Sequence, residues 1–171
     1  MKNNIVKIIG GTILALAVIS ALTFNSAFAQ DQSKDGASQN GSHELVGTWD
    51  AQVRIFNCQN NQTIRTFASI GTFMSGGTSI GSTAGIPQAL RTPEHGVWSH
   101  LRAKTFRFKF KSLSFDAGGN FTGWSIVTHT VQMNAGGDSY TSAGTAEFFD
   151  QNGNPTFPFT GCSSTTATRF E

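Results

Sequence analysis

The sequence predicts an all-β fold, a single antiparallel eight-stranded meander barrel with one disulfide, and three observations predict it. Apolar and polar residues alternate along several long segments, the period-two pattern of half-buried strands. Clusters of Gly, Asn and Asp separate those segments and supply the positive φ and short polar side chains that hairpin loops require. The only two cysteines, Cys58 and Cys162, stand just after the first segment and within the last.

The first residues read as an address. Lys2 and Lys7 precede an apolar run from Ile8 to Leu22, followed by Ala27-Phe28-Ala29, the small-x-small pattern accepted by signal peptidase. Residues 1–29 are therefore expected to be a signal peptide, with Gln30 as the mature start. The run is shorter than the ~20 residues that span a bilayer comfortably, so no membrane anchor is expected. No Cys lies near the cleavage site and no Arg-Arg pair precedes the run, which points to the general secretory route and a periplasmic or extracellular location. Residues 30–44 are expected to be a flexible spacer, because Gln30 to His43 include no large apolar side chain to offset the entropy of ordering. The barrel domain is expected over residues 45–171.

Charge excludes one class of function. The chain has 12 basic and 10 acidic residues. Lys2 and Lys7 fall in the leader, so the remainder is balanced and has no general field to attract nucleic acid or an anionic membrane surface. No nucleic-acid partner is expected, and the oligomeric state is open.

The strands follow in order. In Val46 to Phe56, Trp49, Ala51, Val53 and Ile55 alternate with Thr48, Asp50, Gln52 and Arg54. Thr66 to Met74 is the second strand, and Gly76-Gly77 turns into a weaker one over Thr78 to Thr83. Ala84 to Gly96, with Pro87 and Pro93, reads as a long loop before a short strand, Val97 to Leu101. Thr105–Phe115, Phe121–Met133, Ser139–Phe149 and Thr156–Phe170 are four long strands. Between them lie Asp116-Ala-Gly-Gly-Asn120, Asn134-Ala-Gly-Gly-Asp138 and Asp150-Gln-Asn-Gly-Asn154. Such short connections force antiparallel neighbours, and a meander of this length can close on itself and lose its exposed edges.

The cysteines constrain the closure. In an exported chain an even pair without C-x-x-C or nearby His reads as a disulfide. Bridging needs the Cα atoms within about 7 Å. A flat eight-strand sheet would hold its outer strands more than ~30 Å apart. A Cys58–Cys162 bridge thus requires the sheet to curl until its ends meet.

Candidate site residues come from the same patterns. Phe106, Phe108 and Phe110 alternate with Arg107, Lys109 and Lys111, placing an aromatic row on one face and a basic row on the other. The aromatic row either fills the interior or lines a ligand cavity, since eight-stranded barrels can hold one small ligand. Leu113 and Phe115 fall on the opposite parity, which predicts a β-bulge near Ser112. Glu94-His95-Gly96-Val97-Trp98 puts a carboxylate, an imidazole and an indole at a loop–strand junction, making His95 and Trp98 candidates for ligand contact and His95 the candidate acid/base group. Neighbouring strand residues point to opposite faces, so Glu94 and His95 need not act together. His129, in phase with Val127 and Val131, reads as a satisfied core histidine.

Two motif matches carry nothing further. Gly77-Thr-Ser79-Ile-Gly81 matches the nucleophile-elbow pattern, but Ser-Thr-Ala-Gly-Ile-Pro follows it and cannot start the helix that the motif needs. Asp150-Gln-Asn152-Gly-Asn154 begins like a calcium loop, but Pro155 replaces the required Gly and Gly161 stands where the bidentate Glu belongs. No metal site and no cofactor are expected.

Gly47-Thr48-Trp49 on the first strand and Arg169 at the end of the last resemble the G-x-W signature and its partner Arg in the lipocalin-like, or calycin, barrels. The domain from Val46 to Phe170 also looks like that of short exported bacterial proteins. The resemblance implies an eight-stranded meander that binds a small apolar molecule inside, with Arg169 packed across Trp49 to plug the closed end. The chain departs from the family in having no T-D-Y-like second motif and no C-terminal helix pattern, and in placing Cys162 within a strand. Three functions are therefore open: a binding protein for a small apolar ligand, a non-catalytic interaction module using Arg107, Lys109 and Lys111, and a barrel enzyme of isomerase or cyclase type using His95.

Overall fold

The structure is a computed structural model that describes residues 44–156 and 161–171. The expected signal peptide, the spacer up to His43 and residues 157–160 of the expected last strand lie outside the described residues.

Eight strands form a closed antiparallel barrel in sequence order. They are β1 (Gly47–Phe56), β2 (Thr63–Phe73), β3 (Thr78–Thr83), β4 (Glu94–Arg102), β5 (Thr105–Phe115), β6 (Phe121–Met133), β7 (Ser139–Asp150) and β8 (Gly161–Arg169), with one short 3₁₀ turn, Gln88–Leu90. β1 and β8 close the seam, in register from Trp49↔Arg169 to Phe56↔Cys162. Cys58 and Cys162 form a disulfide across 104 residues, with Cα atoms 5.3 Å apart. Among the described residues, no helix is long and apolar enough to cross a membrane.

The tight turns share one chemistry. In Asp116–Asn120, Asp116 Oδ1 accepts from the Gly118 and Asn120 amides; in Asp150–Asn154, Asp150 Oδ1 accepts from those of Asn152 and Asn154. Gly119 and Gly153 hold the positive φ (80° and 87°) that closes each loop at little steric cost. The calcium-like run at Asp150 is thus a hairpin turn. Ser79 likewise lies within β3, not at the end of a strand leading into a helix.

Two local expectations need correction. The fourth strand starts at Glu94, not Val97, because Glu94 and His95 pair with Gly81 and Ile80 of β3. Pairing thereby overrides the loop-like composition of Pro93-Glu94-His95-Gly96. The bulge expected near Ser112 lies instead between Ser114 and Phe115. Ser112 keeps the inward phase and is buried, and Leu113 points outward. A polar residue on the inner face had looked like a slip of register.

The interior is packed most densely at the end where β1 begins and β8 ends. Leu45, Trp49, Phe73, Phe106, Phe108, Val131, Met133, Tyr140 and Ala167 form a continuous core there. Trp49 is fully buried, meets Tyr140 edge-on at 5.0 Å and donates from Nε1 to the Leu45 carbonyl at 3.0 Å. Each large side chain buried in this way contributes about 1.5–3 kcal/mol. Arg169 covers the end. Its guanidinium donates to the carbonyls of Val46, Glu44 and Gly137 and sits 4.4 Å from the centre of the Trp49 ring. Gly47 makes this approach possible, because a Cβ there would lie 2.5 Å from Arg169 Nη1.

Candidate functional site

Above that core the barrel is hollow. A cavity of about 220 Å³ extends from Phe73, Phe108 and Tyr140 toward the opposite end, where Ile55, Arg65, Phe67 and Ile86 line it. It exists because the sheet is unevenly filled. The inner positions of β2 and β3 at one level are Gly71 and Gly81, directly paired. On β4, Gly96 fits only as glycine, since a Cβ there would lie 2.8 Å from both Phe110 Cβ and Ser79 Oγ. The facing wall carries Val53, Val127 and the rings of Phe108 and Phe110, which stack at 5.9 Å.

A polar group interrupts this apolar lining. Glu94, at the start of β4, and Arg91, in the preceding loop, pair at 3.0 Å, with side chains only 14% and 11% exposed. Arg91 Nε donates to Ser112 Oγ at 2.7 Å, and Ser112 and Ser125 hydroxyls bond at 2.9 Å. The Arg91 guanidinium also lies 6.0 Å from the centre of the Phe110 ring. Gly81 leaves the room that Glu94 occupies: a Cβ there would lie 3.1 Å from Glu94 Oε2. Burial raises the Glu94 carboxyl above its ordinary range, and the charge and hydrogen bond of Arg91 oppose that rise.

His129 and Tyr140 add two further polar groups to the lining. His129 bridges Ser142 Oγ (2.9 Å, through Nδ1) and Ser163 Oγ (2.7 Å, through Nε2), and stacks on Phe108 at 5.2 Å. Burial lowers its pKa to about 4, so the ring is neutral and held in place. Tyr140, the only tyrosine in the chain, reaches into the cavity from β7. Burial, with the Glu94 carboxylate adding to it, pushes its hydroxyl above the ordinary phenol range.

The residues singled out from sequence divide three ways. Phe108 and Phe110 line the cavity, whereas Phe106 is fully buried in the core beside Trp98, ring centres 6.0 Å apart. Trp98 packs against that core and donates from Nε1 to the Met74 carbonyl at 3.0 Å. The expectation that His95 meets a ligand is corrected: His95 is exposed, and the alternation of β4 turns Glu94, Gly96 and Trp98 inward instead. Counting back by twos from Trp98 identifies Glu94, whereas adjacency to His95 points the wrong way. Arg91, Ser112, Ser125 and Tyr140 were missed, because polar residues at inner positions have no signature until the register is known. Among the described residues, no cluster of His, Cys, Asp or Glu could hold a metal ion. In comparison with known proteins, the chain matches no protein-family model and no curated protein sequence.

Proposed function

We propose that this is an exported binding protein, lipocalin-like in architecture, that holds one small and largely apolar molecule inside its barrel. The observation that carries the reading is the cavity of about 220 Å³ between the Phe108–Phe110 wall and the Gly71–Gly81 strands. An apolar cavity of about 150 Å³ stays dry and takes up benzene, so a space of this size suits a guest of one or two rings. The walls are preformed by strands, so little conformational entropy is lost when the guest enters. A filled barrel serving only as an interaction module would have no such space. An enzyme working through His95 would need that side chain inside. Support for export comes from the leader-like start of the sequence and from the disulfide, which persists in oxidising compartments.

Titration with the neutral two-ring fluorophore 6-propionyl-2-dimethylaminonaphthalene tests the reading. Saturable emission enhancement at one probe per chain is expected, and Val127→Phe, which fills part of the cavity, should weaken it at least tenfold. Emission that never saturates, or is unchanged in Val127→Phe, would show that the interior takes no guest.

A further inference from the structure

The cavity carries hydrogen-bonding capacity that the protein itself leaves unused. Glu94 gives Oε1 to Arg91, while Oε2, which packs where a Gly81 side chain would otherwise stand, has no hydrogen-bond partner among the described residues. The Tyr140 hydroxyl has no hydrogen-bond partner among the described residues, although its ring is fixed by Trp49 and Phe73. Around them Arg91 is occupied by Glu94 and Ser112, Ser125 by Ser112, and His129 by Ser142 and Ser163, while Arg65 is exposed at the opposite end and lies over the Phe67 ring. An acceptor and a donor therefore face the same apolar space.

Resting on the binding reading above, we infer that the guest is a neutral ring-sized alcohol or phenol whose hydroxyl donates to Glu94 and accepts from Tyr140. A hydroxyl matches this pair because it offers one O–H donor and two lone pairs on a single atom. Charge excludes the alternatives. Arg91 already balances Glu94, and Arg65 is exposed at the far end, so an anionic head group at the Glu94–Tyr140 end would meet the carboxylate in a poorly screened site, and a cationic one would leave a net buried charge. A pure hydrocarbon would leave both groups unpaired against an apolar surface, which is the basis on which polar sites reject isosteres that lack the group. His129 takes no part, since both of its ring nitrogens are engaged.

Equilibrium dialysis of the intact, disulfide-bonded protein against 2-naphthol, naphthalene and 2-naphthoate tests the assignment. The expected result is that 2-naphthol binds at least tenfold more tightly than naphthalene and that 2-naphthoate binds more weakly than either. Tyr140→Phe and Glu94→Gln should each reduce the naphthol preference severalfold, through weaker naphthol binding and, in Tyr140→Phe, tighter naphthalene binding as the unpaired hydroxyl is removed. Saturable naphthalene binding also reports that the cavity remains folded in the variants. If naphthol and naphthalene bind equally, or if the preference survives in both variants, the head-group assignment is overturned and the apolar cavity reading stands. If neither binds, both fall.

Discussion

Arg169 and Trp49 stand directly opposite each other across the β1–β8 seam, and the guanidinium of one lies 4.4 Å from the ring centre of the other. The same guanidinium satisfies three carbonyls, from Val46, Glu44 and Gly137, so one side chain ties the start of β1, the end of β8 and the β6–β7 turn. Arg169→Met should therefore cost about 2–4 kcal/mol, combining the ring contact with carbonyls left without donors. Lysine should recover only part of this, having no planar fork. Gly47→Ala should destabilise by about 1–3 kcal/mol, because φ at Gly47 is +133° and the new methyl would meet Arg169. Urea denaturation of the three variants measures all of these.

The disulfide acts on the same seam from the other end. By closing a loop of 104 residues it lowers the entropy of the unfolded chain by up to about 4–5 kcal/mol. A Cys58→Ser/Cys162→Ser protein is expected to lose stability of that order while keeping its barrel, because the β1–β8 ladder is hydrogen-bonded from Trp49 to Phe56 without it. Far-ultraviolet circular dichroism and urea midpoints with and without reductant check both parts.

Most of the barrel was legible in the sequence, and the reason is physical. Strands such as Thr105–Phe115 alternate strongly, and the Asp116 and Asp150 turns carry the side chains that build them. Even the plug of Arg169 on Trp49 could be anticipated. The interior chemistry could not, because it consists of violations of the alternation. Ser112 occupies an inner position where the alternation calls for an apolar residue, which mimics a slip of register. Arg91 sits in a segment that reads as loop, and a backbone bridge to Ser114 with side-chain bonds to Ser112 and Glu94 brings it inward. His95 drew notice as an imidazole beside a carboxylate, although strand geometry sends the two to opposite sides of the wall.

His129 makes stability depend on pH in a defined window. An unfolded histidine takes up a proton near its ordinary pKa of 6.5, while the folded ring stays neutral down to about 4. The stabilisation is complete above the higher value and is lost as pH falls toward the lower one, amounting to roughly 3 kcal/mol across the window. Glu94 has the opposite sign. Its raised carboxyl favours the fold below the ordinary carboxylate range, and that contribution disappears as pH rises through the folded value. Denaturation of wild type and His129→Gln at pH 7 and pH 4.5 separates the two. The wild type should lose more stability than the variant, which cannot titrate at this position and can still bond Ser142 and Ser163.

Arg91 and Glu94 should behave as a coupled pair. Removing one partner leaves the other charge in a site only 11–14% exposed, so Arg91→Met or Glu94→Met alone is expected to cost about 2–4 kcal/mol. The double variant should cost less than the sum of the singles, because two apolar side chains leave no orphaned charge. A cycle of urea denaturation experiments gives the coupling directly. Additive losses would mean that the pair is effectively solvated.

The emptiness inside this barrel is made by residues that cannot be trimmed any further. Gly71 and Gly81 already present bare backbone on two paired strands. Any widening of the chamber must therefore come from the aromatic side, above all Phe108 and Phe110, and any substitution of the glycines can only shrink it. The largest adjustable side chains on that side belong to one strand, β5. A change in the preferred guest, whether by selection or by engineering, should appear first as an exchange of phenylalanine there for something smaller.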